Sequence, residues 1–296
     1  MKINLFGSTG FVGKNITNYF KSKYDLNPIL NINNYDEQAD VFINLIGKAH
    51  DLKKVVNPSD YYQSNTKLSQ QVFDAFLLSN ATVFITLSSV KAVADSIQVP
   101  LTENHVPNPI THYGKSKLLA EEYILNKEIP RGKRVYILRP CMIHGPGNKG
   151  NLNLLYKLVS IGFPWPLGAF VNKRSFCSID NLCFIINQLI INDSITSGVY
   201  NIADDEPLAT NDLIKLIAEC QEKKYIIWNF PKSIIKLLSK MGDLLKLPLN
   251  SERLNKLTET YIVSNNKILT AINKPLPLSA KEGLMKTLNS FSTNVK

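Results

Sequence analysis

The 296 residues include 44% hydrophobic and 20% charged side chains, an ordinary globular balance that excludes a disordered chain. The formal net charge of +10 suits an acidic partner, but the basic residues are spread along the chain without a long run, which argues against a nucleic-acid tail. No apolar run is long enough for a transmembrane helix, and a strand begins almost at residue 1, leaving no room for a signal peptide; a cytoplasmic location is expected.

In chain order, Lys2–Phe6 reads as a short apolar strand, followed by a glycine-rich turn and a helix over 11–21. Residues 27–32 and the continuous apolar run 41–46 read as strands. The stretch between them is too short for another, so one strand of the usual sheet is expected to be missing. A helix is predicted over 66–78, a buried strand over 82–87, a helix over 113–125 and a strand over 134–138. Strands alternating with helices imply right-handed crossovers and a parallel sheet. After Gly145 proline and glycine become frequent, 164–168 reads as a rigid loop or short strand, and helices are predicted over 181–191, 211–220, 232–246 and 280–288. The fold class is therefore α/β. A Rossmann-type doubly wound parallel sheet occupies 1–145, with strands and helices contributed by later segments. A smaller, mainly helical substrate lobe occupies 146–296. Within it, 233–247 sets apolar residues among lysines; it either lies on a membrane surface or packs on its own domain, and packing is the expected outcome.

Gly7, Ser8, Thr9, Gly10, Phe11, Val12 and Gly13 follow a strand and open a helix. A dinucleotide needs a tight turn, close backbone approach to its pyrophosphate, and a helix N-terminus with unpaired N–H groups. A second string, Gly145, Gly147 and Gly150, contains Pro146 and lacks that context, so it reads as a loop. The usual acidic ribose anchor is absent: the second strand ends in Asn31-Ile32-Asn33-Asn34, and Asp36 and Glu37 come later. Loss of the acid removes repulsion against a 2′-phosphate, yet no arginine replaces it, so NAD or NADP stays open. No C-x-x-C or H-x-x-x-H spacing occurs, and neither a metal site nor a disulfide framework is expected.

Tyr113 and Lys117 stand four apart on one helical face. A free tyrosine, with a pKa near ~10, is a poor base at neutral pH, and an adjacent ammonium would favour the phenolate. Tyr19–Lys23 and Tyr123–Lys127 share the spacing. Tyr113 is distinguished by Ser88-Ser89 at the end of a buried strand, because strand ends and helix starts meet at the ligand edge of a parallel sheet.

Together these residues resemble the extended short-chain dehydrogenases, specifically the NAD-dependent epimerase/dehydratase family that acts on nucleotide sugars. The resemblance covers nearly the whole chain. It implies Ser89, Tyr113 and Lys117 as catalytic residues. It implies cofactor contacts from the 7–13 loop, Leu45, Ile46, Gly47, Asn65, Leu87, Tyr113, Lys117 and Pro140. It implies substrate contacts from Ser89, Val90, Lys91, Asn151 at a helix start, Leu167 beside the base, Arg174 at the diphosphate, and Arg253. Guanidinium pairs with phosphate bidentately, which suits Arg174. Dehydratases of this family carry Asp-Glu directly after the catalytic serine or threonine; here Val90 and Lys91 stand there and cannot supply that acid. Met142 replaces an epimerase asparagine, and His144 a frequent tyrosine.

The resemblance thus implies an enzyme acting at C4 of a UDP-hexose, in surface polysaccharide precursor synthesis, with 4-epimerisation preferred over NADPH-dependent 4-ketosugar reduction. A non-catalytic NAD(P)-binding protein of the same fold is the alternative outside enzymology, and nucleic-acid binding rests on the net charge alone. The family also implies a homodimer paired through the helices at 66–78 and 113–125, whose apolar faces suit sheet-covering core equally well.

Overall fold

The structure is a computed structural model that describes residues 1–48, 57–148, 150–245 and 250–292, with position 151 described by its backbone alone. Lys246 and Leu247, at the end of a predicted helix, lie outside the described residues. The chain runs β1 (Lys2–Phe6), α1 (Phe11–Phe20), β2 (Asp25–Ile29), β3 (Val41–Asn44), α2 (Pro58–Tyr61), α3 (Leu68–Leu78), β4 (Val83–Leu87), α4 (His112–Leu125) and β5 (Arg134–Pro140). It continues with β6 (Met142–His144), α5 (Asn151–Ser160), β7 (Phe176–Ser178), α6 (Ile179–Ile191), β8 (Gly198–Ile202), α7 (Thr210–Cys220), α8 (Lys232–Leu245), α9 (Ser251–Thr258), α10 (Asn266–Ile272) and α11 (Ala280–Ser292).

Six parallel strands form the central sheet in the order β2-β1-β3-β4-β5-β8. The chain leaves β1 toward one edge for β2 and returns on its other side for β3. That reversal splays the loops after β1 and β3 and opens the ligand crevice of a doubly wound sheet. Side chains alternate between the two faces, as strand geometry requires. Ile3, Leu5, Val41, Ile43, Val83 and Ile85 share one core with α1, α6 and α10. Phe6, Phe42 and Phe84 point the other way and pack with Phe73 and Phe76 of α3. The apolar residues of α3 thus cover the sheet.

Several elements differ from the sequence reading for identifiable reasons. β2 is Asp25–Ile29 rather than 27–32; it is an edge strand, where Pro28 is tolerated without a ladder N–H. β3 stops at Asn44 rather than 46, because the buried Asn44 side chain accepts the Ile46 N–H at 3.1 Å and turns the chain. Among the described residues no strand lies between β2 and β3, only a short 3-10 turn. Residues 181–191, read with the second lobe, belong to α6 and bury Ile185, Ile186 and Leu189 against the sheet. β8 closes the sheet beside β5, a strand from a later segment that the sequence reading allowed for without locating it.

A second core gathers α5, α7, α9 and α11 around Trp165, Leu167 and Phe176. The two cores join at Asp204, just past β8. Its buried carboxylate accepts the Ser178 N–H at 2.9 Å and the Asn181 amide at 2.7 Å, with His144 Nε2 at 3.4 Å. The His144 Nδ1 lies 2.9 Å from the Thr287 hydroxyl on α11. One side chain therefore ties β6, β7 and α6 together. Truncating it strands several buried donors at once. Asp204→Ala is expected to lower the unfolding free energy by about 3 kcal/mol or more in urea titration; a change near zero would contradict this role.

Candidate functional site

The loop after β1 turns through Gly7, whose φ of +80° favours glycine, and Gly10 caps α1. A Cβ on Gly13 would sit 2.2 Å from the Gly7 carbonyl oxygen, so only glycine lets the turn close on the first turn of the helix. A Cβ on Gly10 would meet only that same oxygen, at an ordinary 3.6 Å. The chain's own packing therefore does not require Gly10, whereas a closely approaching pyrophosphate would. Helix α1 has no side-chain cap and no acid in its first turn, so its N-terminal N–H groups and dipole face the crevice. These features fit a dinucleotide. The residues after β2 give no specificity signal: Asn31 accepts its own turn's Asn33 N–H, and Asp36 is paired with Lys2 at 2.5 Å.

Across the crevice, Leu45 and Ile46 abut Gly7, and Gly47 faces Asn65 and Lys117. Asn65 lies on a π-helical segment, Tyr62–Lys67, that joins α2 to α3. Such segments recur at functional sites because they re-aim side chains within a helix. The buried Asn65 accepts the Lys48 N–H at 2.7 Å and donates to Ser116 on α4 at 3.0 Å. It thereby fixes the loop after β3 against α4.

Thr111 caps α4, accepting the Gly114 N–H at 3.2 Å, and Asp95 holds Thr111 through its backbone and hydroxyl. A Cβ on Gly114 would fall 2.3 Å from the Lys91 carbonyl oxygen, so glycine lets α4 close on the loop after β4. That approach brings Ser89 to Tyr113. Ser89 Oγ accepts the Lys91 N–H at 3.2 Å and stands close enough to the Tyr113 phenol to favour its ionised form. Burial pushes the Tyr113 pKa up; Ser89 opposes this, and Tyr61, edge-on at 6.1 Å, adds to it. The phenol is thus held protonated, contrary to the expectation that an adjacent ammonium favours phenolate. The reason is where Lys117 points: its Nζ donates to the Leu87 carbonyl at 2.8 Å, at the end of β4.

Lys117 is almost fully buried, and burial lowers its pKa to about 8, with Glu121 opposing the shift. Glu121, one further turn along α4, is held by Arg139 of β5 at 2.5 to 3.1 Å in a buried bidentate pair. Sequence reading missed this pair; the repeat of four from Tyr113 through Lys117 to Glu121 is the signal for it. The other two Tyr-Lys spacings are different in kind. Lys23 stacks over the Tyr19 ring at 3.7 Å and Lys127 over Tyr123 at 4.8 Å.

The predicted substrate residues separate into two groups. Val90, Lys91 and Arg174 converge. Lys91 Nζ donates to the Asp95 carbonyl at 2.6 Å and lies over the Tyr261 ring at 4.2 Å. Arg174 donates to the Lys256 carbonyl, and its strand bridges to Tyr261. Burial lowers the pKa of both Lys91 and Arg174, and Glu259 counters in each. Arg174, Lys256, Thr210, Met142 and Phe176 line one recess. Arg174 and Lys256 line the recess, with Lys91 nearby and Glu259 and Asp95 as the facing acids, and the guanidinium suits phosphate. Tyr261 pins the arrangement by donating to the Ala94 carbonyl at 2.7 Å; no motif or periodicity marked it. The remaining residues stand apart. Leu167 is buried in the lobe core, paired with Asn229; Pro140, predicted at the cofactor, is buried at the end of β5. Arg253 is exposed on α9, and the Asn151 side chain lies outside what is described.

A profile of the NAD dependent epimerase/dehydratase family matches residues 3–203. The UDP-glucose 4-epimerase of Vibrio cholerae is 28% identical over 98% of this chain and 95% of its own length. The N-acetyl-alpha-D-glucosaminyl-diphospho-ditrans,octacis-undecaprenol 4-epimerase of Escherichia coli O157:H7 is 27% identical over 96% of this chain and 93% of its own. Among solved structures, RMD from Pseudomonas aeruginosa complexed with NADPH superposes with a TM-score of 0.76 at 19% identity, covering 99% of each chain.

A cation whose pKa is lowered on folding stays charged only below that value. NMR of protein labelled at the lysine ε-carbons is therefore expected to show one lysine losing its proton at about 8. That resonance disappears in Lys117→Met and moves to lower pH in Glu121→Gln, since the opposing charge is gone. Finding every lysine near ~10.4 would contradict the assignment.

Proposed function

The chain belongs to the NAD-dependent epimerase/dehydratase family and is an NAD(P)-dependent enzyme of sugar nucleotides; from that premise we propose that it acts at C4 of a UDP-hexose, as a 4-epimerase. The observation that carries this reading is the grouping of Ser89, Tyr113 and buried Lys117, whose Nζ donates to the Leu87 carbonyl at the end of β4, opposite the glycine turn.

In this proposal the 7–13 turn and the N-terminus of α1 hold the pyrophosphate. Leu45, Ile46, Gly47 and Leu87 line the remainder of the cofactor crevice, and Lys117 fixes the ribose. A nicotinamide held there would supply the hydride acceptor and donor for C4. Tyr113 moves the proton of the C4 hydroxyl, and Ser89 keeps the phenolic oxygen aimed at it. Ser89 Oγ already accepts a backbone N–H, which leaves its own proton free for the phenol. Val90 and Lys91 leave the site without the acid and base needed to remove water, which disfavours dehydration. Arg174, with Lys91 and Lys256 nearby, neutralises the diphosphate. The two 4-epimerases cited are named for sugars that both carry a diphosphate, one in UDP and the other on undecaprenol.

The same residues serve a 4-ketosugar reductase that delivers hydride once, and the neutral amides after β2 leave NADPH possible. Incubation with UDP-glucose or UDP-GlcNAc is expected to give the C4 epimer without net consumption of cofactor. Stoichiometric NADPH oxidation with a UDP-4-keto-6-deoxy sugar would move the assignment to reduction. Tyr113→Phe is expected to lower kcat at least about 100-fold while cofactor affinity changes little. No turnover with any UDP sugar, or full biological activity in Tyr113→Phe, would overturn the proposal in favour of a non-catalytic role.

A further inference from the structure

Helix α8 does not pack as its apolar content predicts. It seats on the lobe through a narrow stripe of Ile235, Ser239 and Gly242, and its neighbour is α9. Asp243 anchors the pair by accepting the Ser251 N–H and hydroxyl at 3.0 and 2.6 Å. The larger apolar residues, Ile234, Leu237, Leu238, Met241, Leu244 and Leu245, are 46 to 84% exposed. At 100° per residue these six fall on one side of the helix, adjoining the seated stripe at Leu238 and turning away from it toward Leu244. The helix cannot turn that side inward without withdrawing Ile235 and Gly242 from the lobe.

Two further observations indicate what covers this face. Lys232, Lys236 and Lys240, all exposed, form one row that borders the apolar side next to Leu237 and Leu244. Immediately before the helix, Trp228 and Phe230 form an edge-on pair at 5.6 Å and are 45 and 41% exposed. Lysines flanking a leucine-rich face, with aromatics at the end, are the composition of a helix lying in a lipid headgroup layer. Protein–protein interfaces are instead depleted in lysine. Among the described residues no helix is long and apolar enough to cross a membrane, so insertion would be in the plane of the surface.

We propose that the exposed face of α8, with Trp228 and Phe230, docks this protein on a bilayer that carries anionic headgroups. The net charge of +10 favours the same partner at longer range. Docking would seat the α9 side of the lobe at the membrane, and α9 contributes Lys256 and Leu257 to the Arg174 recess. The inference does not depend on the catalytic reading.

The test is flotation of the full chain with phosphatidylcholine vesicles, with and without phosphatidylglycerol. Binding to the anionic vesicles is expected to weaken with salt and to be at least about 10-fold weaker on phosphatidylcholine alone. Leu237→Gln with Leu244→Gln, and separately Lys236→Gln with Lys240→Gln, are each expected to reduce it by a similar factor. Unchanged circular dichroism and cofactor binding would show that these variants are folded. Absence of vesicle binding by the unaltered chain, or full binding by either variant, overturns the proposal. So does a Leu237→Gln, Leu244→Gln variant that changes only oligomeric mass in light scattering, which would assign the face to a second copy.

Discussion

The site is organised around one desolvated cation. Lys117 Nζ is held at 2.8 Å by the carbonyl of Leu87, where β4 ends, and packs against Gly47, where the chain leaves β3. A buried ammonium is costly unless groups around it are fixed in advance. Here the cost is met by structure on three sides: the strand-end carbonyl, the π-turn that places Asn65, and Glu121, itself locked by Arg139. Because α4 carries Tyr113, Lys117 and Glu121 on successive turns, seating Lys117 also sets the height at which Tyr113 meets Ser89. The sheet reversal between β1 and β3 decides where this occurs, since it opens the crevice that the glycine turn faces.

Much of the first half was legible because its physics is local. Buried parallel strands read as near-continuous apolar runs, and β3 and β5 have them, while β1 and β4 are broken only by Asn4 and Thr86. The glycine turn was legible because Gly7 needs positive φ and Gly13 has no room for a Cβ. Tyr113 was separable from two other Tyr-Lys spacings only by its neighbours. The structure gives the reason: Lys117 is buried at the strand ends with Tyr113 half-buried beside it, whereas the other pairs stack as cation–π contacts.

What escaped the sequence depends on long-range partners. β8 is five residues whose role comes from pairing with β5. Tyr261 is an isolated aromatic whose hydroxyl reaches a carbonyl on a loop far earlier in the chain. The π-turn at Asn65 is a backbone detail within an otherwise helical pattern. For α8 the period was correct and the helix does seat on its own lobe, but only through Ile235, Ser239 and Gly242, leaving its larger apolar side chains exposed. Apolar periodicity shows that a face will be covered and leaves open by what. Arg174 was readable as a candidate by residue type, while its neighbours Lys256 and Glu259 became visible only from the fold of α9 and the residue after it.

The central claim is that hydride leaves and returns at C4 while Tyr113 carries the hydroxyl proton. It is tested most directly with UDP-hexose bearing deuterium at C4. The account predicts an epimeric product that retains the label, because hydride held within the closed site does not exchange with water. Loss of the label to solvent, or failure of the labelled substrate to react at all, would contradict it.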